Sequence, residues 1–349
     1  MLCIEPFRPL KAQNGAWIAK AVTKECAMKA LKSSICVAVT ALALSLSLVA
    51  PSCAADDEAA PLIRQMKELY RAGKYVEALP LAQKSLALRE KEFGPDDANV
   101  AMPLNDLGTI HYNLGQYAVA EPFYKRSLAI REKTLGPDDA EVAMVLNNLG
   151  DLYRAEARYA EAESFLKRSI AIGEKIPGPN NPSLVLALCN LGAVYSNQRQ
   201  YKQAELLFTK ALGIFEKAHG TQDPEATVLM NNLADTYIQR HRYADAERLL
   251  KRSMAITEKA FGLDHPDIAQ ALNNLAALNA RQGRNADAER LYRRSVATYE
   301  KTLGPNHPDL ADVLENLAGL YKDQGRYADA ELALKRSLAI RGKSGSRPI

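Results

Sequence analysis

The chain has 349 residues, 47% of them hydrophobic and 25% charged, a balance that suits a soluble chain with a packed core and excludes both a disordered and a polytopic membrane protein. Its formal charge of +4 is confined to the first 55 residues, where Arg8, Lys11, Lys20, Lys24, Lys29 and Lys32 stand against Glu5 and Glu25. The remainder is neutral, so no nucleic-acid partner is expected.

The first element in chain order is an apolar leader. No residue from Ser33 to Ala55 is charged, and Ile35 to Ala50 is continuously small or apolar. Lys29 and Lys32 precede the stretch; Ser52-Cys53-Ala54-Ala55 and the acidic Asp56-Asp57-Glu58 come after it. This order of parts is that of a secretory signal peptide over residues 28–55. Met28 stands just before the basic region, which marks residues 1–27 as an extension from an upstream start codon. Cleavage near Ala54 or Ala55, retention as a single membrane anchor and lipidation at Cys53 are the three outcomes for the stretch, and Ala50, Pro51 and Ser52 match a lipoprotein box poorly. Each places the rest of the chain outside the cytoplasm, in the periplasm or membrane-attached facing a bacterial periplasm, with membrane contact only through the leader. Cys3 and Cys26 lie in the extension and Cys36 and Cys53 in the leader, so with Cys189 the single cysteine of the remainder no disulfide staples the fold.

A 42-residue period then runs to the end of the chain, marked by Gly94, Gly136, Gly178, Gly220, Gly262 and Gly304. Aligned on it, the array of residues 58–343 divides into units near 58–94, 95–136, 137–178, 179–220, 221–262, 263–304 and 305–343, with 344–349 as a tail. Each unit predicts two helices. In the third, Leu146, Leu149, Gly150 and Tyr153 share one face of the first helix, and Tyr159, Ala162, Leu166 and Ile170 carry helical spacing through the second. A short polar turn, often with glycine (Gly73, Gly115, Gly283, Gly325), joins them. The recurring glycine is expected to close the second helix in the left-handed αL conformation, before Pro-Asp or His-Pro pairs open the next unit. Small residues recur at Ala78, Ala120, Ala162, Ala204, Ala246, Ala288 and Ala330, and at Gly108, Gly150, Gly192, Ala234, Ala276 and Ala318. Helix axes approach to the short end of ~8–10 Å only where such side chains meet. Tyr75, Tyr117, Tyr159, Tyr201, Tyr243 and Tyr327 are expected to fill the space beside the alanines.

The small residue after Leu, the Tyr three positions on and the Tyr-x-x-Ala opening of the second helix resemble the tetratricopeptide repeat. The 42-residue unit, Leu146-Asn147-Asn148-Leu149 and its counterparts, and connections such as Gly304-Pro305-Asn306-His307-Pro308 are similar to the subclass found in kinesin light chains and many bacterial repeat proteins. The resemblance implies an all-α fold, a right-handed solenoid of about seven helix-turn-helix units and fourteen helices. Asn279 and Asn285 replace tyrosine in the sixth unit, which predicts a looser core there.

No catalytic constellation is legible. His111, His219, His241, His265 and His307 show no metal-ligand spacing, and His265 and His307 belong to connecting turns. Cys189 stands in for an Asn of the repeat signature, and the sequence around it supplies no catalytic context. Phosphate-binding loops, dinucleotide fingerprints and nucleophile elbows are all missing from the sequence. Basic residues at Lys84, Arg126, Arg168, Lys210, Arg252, Arg294 and Arg336 form a column on the second helices. Neighbours such as Lys125 and Lys167, four residues after Glu121 and Glu163, suit a solvated face of i, i+4 pairs better than an anion site. No enzyme activity, cofactor or metal is expected.

At about 100° per residue, residues such as Met144, Asn148 and Asp151 point away from the buried stripe of the first helix. In the family resembled, that side lines the concave groove, the surface solenoids use for partners. The expected partner-binding residues are Met102, Asp106, Met144, Asn148, Asp151, Leu186, Asn190, Asn197, Val228, Asn232, Asp235, Gln239, Asn274, Arg281 and Asn316. Arg281 is the one fixed positive charge placed on this stripe, against Asp106, Asp151, Asp235, Asp312 and Asp323. A ladder of asparagines offers a donor and an acceptor at each step, which suits an extended peptide, neutral to basic in charge. The alternative is a ladder that bridges neighbouring repeats and serves the architecture of a structural or self-assembling envelope element, with a second copy covering the last apolar face after Ile340.

Overall fold

The computed structural model describes residues 57–178 and 181–343; the extension 1–27, the leader 28–55 and the tail 344–349 lie outside them. Fourteen helices and no strand occur among the described residues: α1 (Ala59–Arg71), α2 (Tyr75–Phe93), α3 (Ala98–Asn113), α4 (Tyr117–Leu135), α5 (Ala140–Ala155), α6 (Tyr159–Lys175), α7 (Pro182–Asn197), α8 (Tyr201–His219), α9 (Ala226–Gln239), α10 (Tyr243–Phe261), α11 (Pro266–Arg281), α12 (Asn285–Leu303), α13 (Pro308–Asp323) and α14 (Tyr327–Lys343). No described helix is long and apolar enough to cross a membrane. The helices pair as the period predicts, giving an all-α solenoid of about seven repeats. They group into two compact units, one ending at Asn190 and the other beginning at Leu191, with the boundary inside α7.

The helix ends follow from local chemistry. Asp97 and Asp139 accept from the backbone N–H two residues on, and His265 and His307, in the connecting turns where the sequence places them, do the same through Nδ1 ahead of Pro266 and Pro308. Within a repeat the chain turns through a Schellman motif. Lys74 N–H reaches Leu69 O at 2.9 Å and Gly73 N–H reaches Tyr70 O at 3.0 Å. Gly73, Gly115, Gly283 and Gly325 take the left-handed position, and Ala157, Arg199 and His241 take it in the other units at φ 58–60°. The period-marking glycines differ from expectation: Gly94 has φ 90° and ψ 162°, and Gly136, Gly220 and Gly304 are alike. That is the extended positive-φ region open essentially to glycine alone, not αL. It turns the chain out of the helix instead of winding it one residue further.

In the unit ending at Asn190, the α1–α2, α3–α4 and α5–α6 pairs stack through contacts of α2 with α3 and α4 with α5. A Cβ on Gly150 would lie 2.4 Å from Leu166 Cγ, and one on Gly108 2.7 Å from the Tyr124 ring, so both glycines let the paired second helix close in. Ser127 Oγ donates to Ala101 O and Ser169 Oγ to Ala143 O, each at 2.7 Å. Tyr75, half-buried, packs against the core of Met66, Ala78, Leu104 and Leu107, beside the alanine as predicted.

The unit beginning at Leu191 repeats the scheme, with Ala234, Ala246, Leu250, Leu275 and Leu278 in its core and Tyr243 packed on it. Ser295 Oγ donates to Ala269 O at 2.6 Å. Asn279 is buried, and its amide donates to Leu275 O at 2.8 Å. The exchange for tyrosine therefore removes a ring without opening the core to water. What is lost is the guanidinium–ring contact that Arg242 makes with Tyr237 at 4.3 Å and Arg326 with Tyr321 at 4.2 Å.

Candidate functional site

Four members of the basic column on the second helices are ion-paired. Arg126 meets Glu90, Arg168 meets Glu132, Arg252 meets Glu216 and Arg336 meets Glu300 across adjacent repeats. The i, i+4 pairs Lys125–Glu121, Lys167–Glu163, Lys251–Glu247, Arg293–Glu289 and Lys335–Glu331 are all formed. That leaves the first-helix stripe as the candidate site.

In the first unit, Met102 on α3 is exposed and Met144 on α5 half-buried. Asp106, one turn beyond Met102, is half-buried. Burial pushes its carboxyl up to about 6, against the opposing charges of Lys67 and Arg131. Asp151 accepts from Tyr112 OH at 2.7 Å and from Arg154 at 2.6 Å, and burial beside that carboxylate pushes the Tyr112 phenol up. The asparagines join neighbouring first helices: Asn148 Nδ2 donates to Asn105 Oδ1 at 2.9 Å, and Asn190 Nδ2 to Asn147 Oδ1 at 3.0 Å. Leu186 and Asn190 are buried, contrary to the expectation that this stripe faces water. The amide rungs hold adjacent first helices together, and the side chains between them lose their exposure.

In the second unit, Val228 and Arg281 are exposed, and Asn197, Asn232, Asp235, Gln239 and Asn316 are half-buried. Burial pushes the Asp235 carboxyl up to about 6, opposed by the Gln239 amide, which donates to it at 3.4 Å, and by the charge of Arg281. Asn316 Nδ2 donates to Asn273 Oδ1 at 3.1 Å, the rung seen in the first unit. Asn274 is buried and accepts from Gln270 Nε2 at 3.0 Å, a second departure from a water-facing stripe. Cys189 occupies the column that supplies the accepting oxygen at Asn105, Asn147 and Asn273.

The second helices also reach this stripe, which periodicity did not reveal. Arg131, buried, donates to Glu141 at 2.7 Å and lies 3.9 Å from Met102 Sδ. Tyr299 OH donates to Gln270 Oε1 at 3.1 Å and Arg341 to Asp312 at 2.6 Å. Arg281 is therefore not the one cation at the stripe. In each pair the partners stand 29 residues apart, linking Met102, Gln270 and Asp312 of one column to Arg131, Tyr299 and Arg341 of another. The second column reads Arg131, Gly173, Phe215, Thr257, Tyr299, Arg341. A search for recurring residues passes over such a column because its chemistry changes at each step; its variation at a fixed register was the available signal.

No group of three or more His, Cys, Asp or Glu able to hold a metal occurs among the described residues. A comparison with curated protein sequences finds no match. Among solved structures, the chain is similar to BtubC (BKLC) from P. vanneervenii, at 20% identity over 68% of this chain and 93% of that one, with a TM-score of 0.52. The apo form of RapI gives 14% identity over 83% and 100%, TM-score 0.63, and the apo quorum sensor NprR from B. thuringiensis 13% over 80% and 75%, TM-score 0.64. At these identities the likeness is one of fold. The tetratricopeptide repeat model matches residues 68–133, 101–175, 141–217, 224–301 and 267–343, so most of the sequence carries it and the chain belongs to the tetratricopeptide repeat family, whose arrays serve as interaction scaffolds.

Proposed function

We propose that the chain is a non-enzymatic scaffold that holds an extended, neutral to basic segment of a partner protein along its first-helix stripe. The observation that carries this is the pairing of open apolar side chains with half-buried carboxyls that have no ion-pair partner among the described residues. Asp106 lies one turn from Met102, and Asp235 two turns from Val228. A lysine or arginine of the partner lays its methylene stem on the apolar side chain and brings its charge to the acid. Desolvation of these acids costs folding free energy, and a cationic ligand recovers it. Asn148, Asn190 and Asn316 act in this proposal as the frame that fixes the spacing of the steps, while Met102, Asp106, Met144 and Asp151 meet the partner in the first unit and Val228, Asp235, Gln239 and Arg281 in the second. An array exported through the leader would meet that partner in the periplasm; N-terminal sequencing of the mature protein tests the address separately.

Fluorescence anisotropy with a labelled extended peptide of about twelve residues that alternates lysine and leucine, beside its glutamate-for-lysine counterpart, tests the stripe. The lysine peptide is expected to bind, to lose about tenfold in affinity to the D106N/D235N double variant, and to weaken as pH falls from 7 to 5 and the two carboxyls take up protons. Equal affinity for the glutamate peptide, or indifference to the double substitution, overturns the proposal.

A further inference from the structure

The last described helix presents half of an interface whose other half is visible elsewhere in the same chain. On α14, Tyr327, Glu331, Leu334 and Leu338 succeed one another at spacings of four, three and four residues and are all exposed, forming one helical face. Their counterparts in earlier repeats are half-buried or buried. Leu338 is 67% exposed and Leu128 8%; the Glu331 side chain is 65% exposed and that of Glu121 20%. At the position of Leu334, Tyr124, Leu166, Phe208, Leu250 and Tyr292 are all buried.

Within each unit, the glutamate of this face takes its partners from the next repeat, and the chemistry is consistent. Glu121 accepts from Tyr153 OH at 2.8 Å and from Arg158 at 3.2 Å. Glu289 accepts from Tyr321 OH at 3.2 Å and from Arg326 at 2.7 Å. Glu205 accepts from Arg242 at 2.7 Å and Glu247 from Arg284 at 3.3 Å. In the first two cases the guanidinium also lies 4.2 Å over the tyrosine ring. Glu331 has the same place on its helix, with Lys335 on its own helix as its ion pair.

The first helix at the other end of the array does not match this seat. α1 offers Leu69 and Lys74 in the tyrosine and arginine columns. It also places exposed Glu58, Pro61 and Gln65 where α5 places buried Val142, Val145 and Leu149. Apposed to Leu334 and Leu338 these groups would desolvate without compensation, so head-to-tail stacking of copies is disfavoured.

We propose that the Tyr327–Leu338 face of α14 is a docking seat for an amphipathic helix of a partner protein that carries an aromatic residue and, five residues further on, an arginine. The occupant continues the internal repeat interface in trans, burying Leu334 and Leu338 and supplying the cation that Glu331 faces. The seat is separate from the first-helix stripe, so neither proposal depends on the other.

A labelled synthetic peptide copying residues 140–158 of this chain, with Tyr153 and Arg158, is a ready probe for titration against the full-length protein. Binding is expected, with loss to the Leu338→Asp variant and a fall of about tenfold to Glu331→Arg; the peptide bearing Arg158→Glu should recover most of that affinity on Glu331→Arg but not on the unsubstituted protein. Both protein substitutions fall on exposed side chains, so an unchanged melting temperature verifies the fold. The proposal is overturned if the peptide binds Leu338→Asp as well as it binds the parent. It is equally overturned if the protein alone is an oligomer that Glu331→Arg dissociates, which makes a second copy the occupant. Amide exchange across α14 of the free monomer as slow as across α4 overturns it too, since the chain then covers its own seat.

Discussion

Asp106 and Asp235 are costly residues. Their carboxyls are pushed up to about 6 from 3.8 by burial, so the folded state binds each proton more tightly than the unfolded chain does. Between about pH 4 and pH 6 the folded protein keeps a proton that the unfolded chain has released, and stability falls as pH rises through that window. Above it both states are ionised and the full penalty applies. Asp106→Asn, which keeps the shape and cannot ionise, is expected to stabilise the protein by on the order of 1–2 kcal/mol at pH 7 and by almost nothing at pH 4. Urea unfolding at the two pH values measures this; equal effects at both would mean that ionisation is not the cause. A position whose natural residue is less stable than its amide is a candidate for function over architecture, and nothing in the sequence alone marks Asp106 apart from Asn148 or Asn232 in this way.

Among the elements, the columns of small residues set how closely paired helices lie, and the glycines in them are not equivalent. An added Cβ at Gly150 meets Leu166 at 2.4 Å, whereas at Gly319, on the exposed face of α13, it meets nothing within 4 Å. Gly150→Ala is therefore expected to destabilise by about 1–3 kcal/mol through overpacking, and Gly319→Ala to stabilise by about 0.5–1 kcal/mol by removing backbone freedom from a helix interior. Thermal melts of the two variants should move in opposite directions. Ala234, Ala276 and Ala318 occupy the Gly150 column in later units, so the spacing of each helix pair is matched to its own residue. The sequence identified the column but not this matching, because the clash depends on the rotamer of a side chain 16 residues away.

For the whole molecule, stability in a repeat array is the sum of its units and the interfaces that join them. The amide rungs belong to those interfaces. Asn190→Ala removes the donor to Asn147 Oδ1, an acceptor on a buried side chain, and is expected to cost about 1–3 kcal/mol. Because the loss is at a joint, unfolding should also become less cooperative, with a shallower denaturant dependence; a sharp, unshifted transition would remove the rung from the account of stability. The asparagine ladder, which on sequence alone suited either a ligand or the architecture, is committed at Asn148, Asn190 and Asn316 to the neighbouring repeat.

The period, the two helices of each unit, their apolar faces, the connecting turns at His265 and His307 and the membership of the family are all present in the sequence, because each depends on residues within a turn or two, repeated in register. Tertiary structure alone decided which amides are bridged, why Leu186, Asn190 and Asn274 are buried on a stripe expected to face water, how Arg131, Tyr299 and Arg341 reach that stripe, and which acids are raised toward neutrality. These depend on groups brought together from 26 to 43 residues apart, at distances of a few ångströms that helical periodicity does not specify. The period that identifies the fold also makes α14 informative: its face is recognised as half of an interface because the array shows the other half elsewhere.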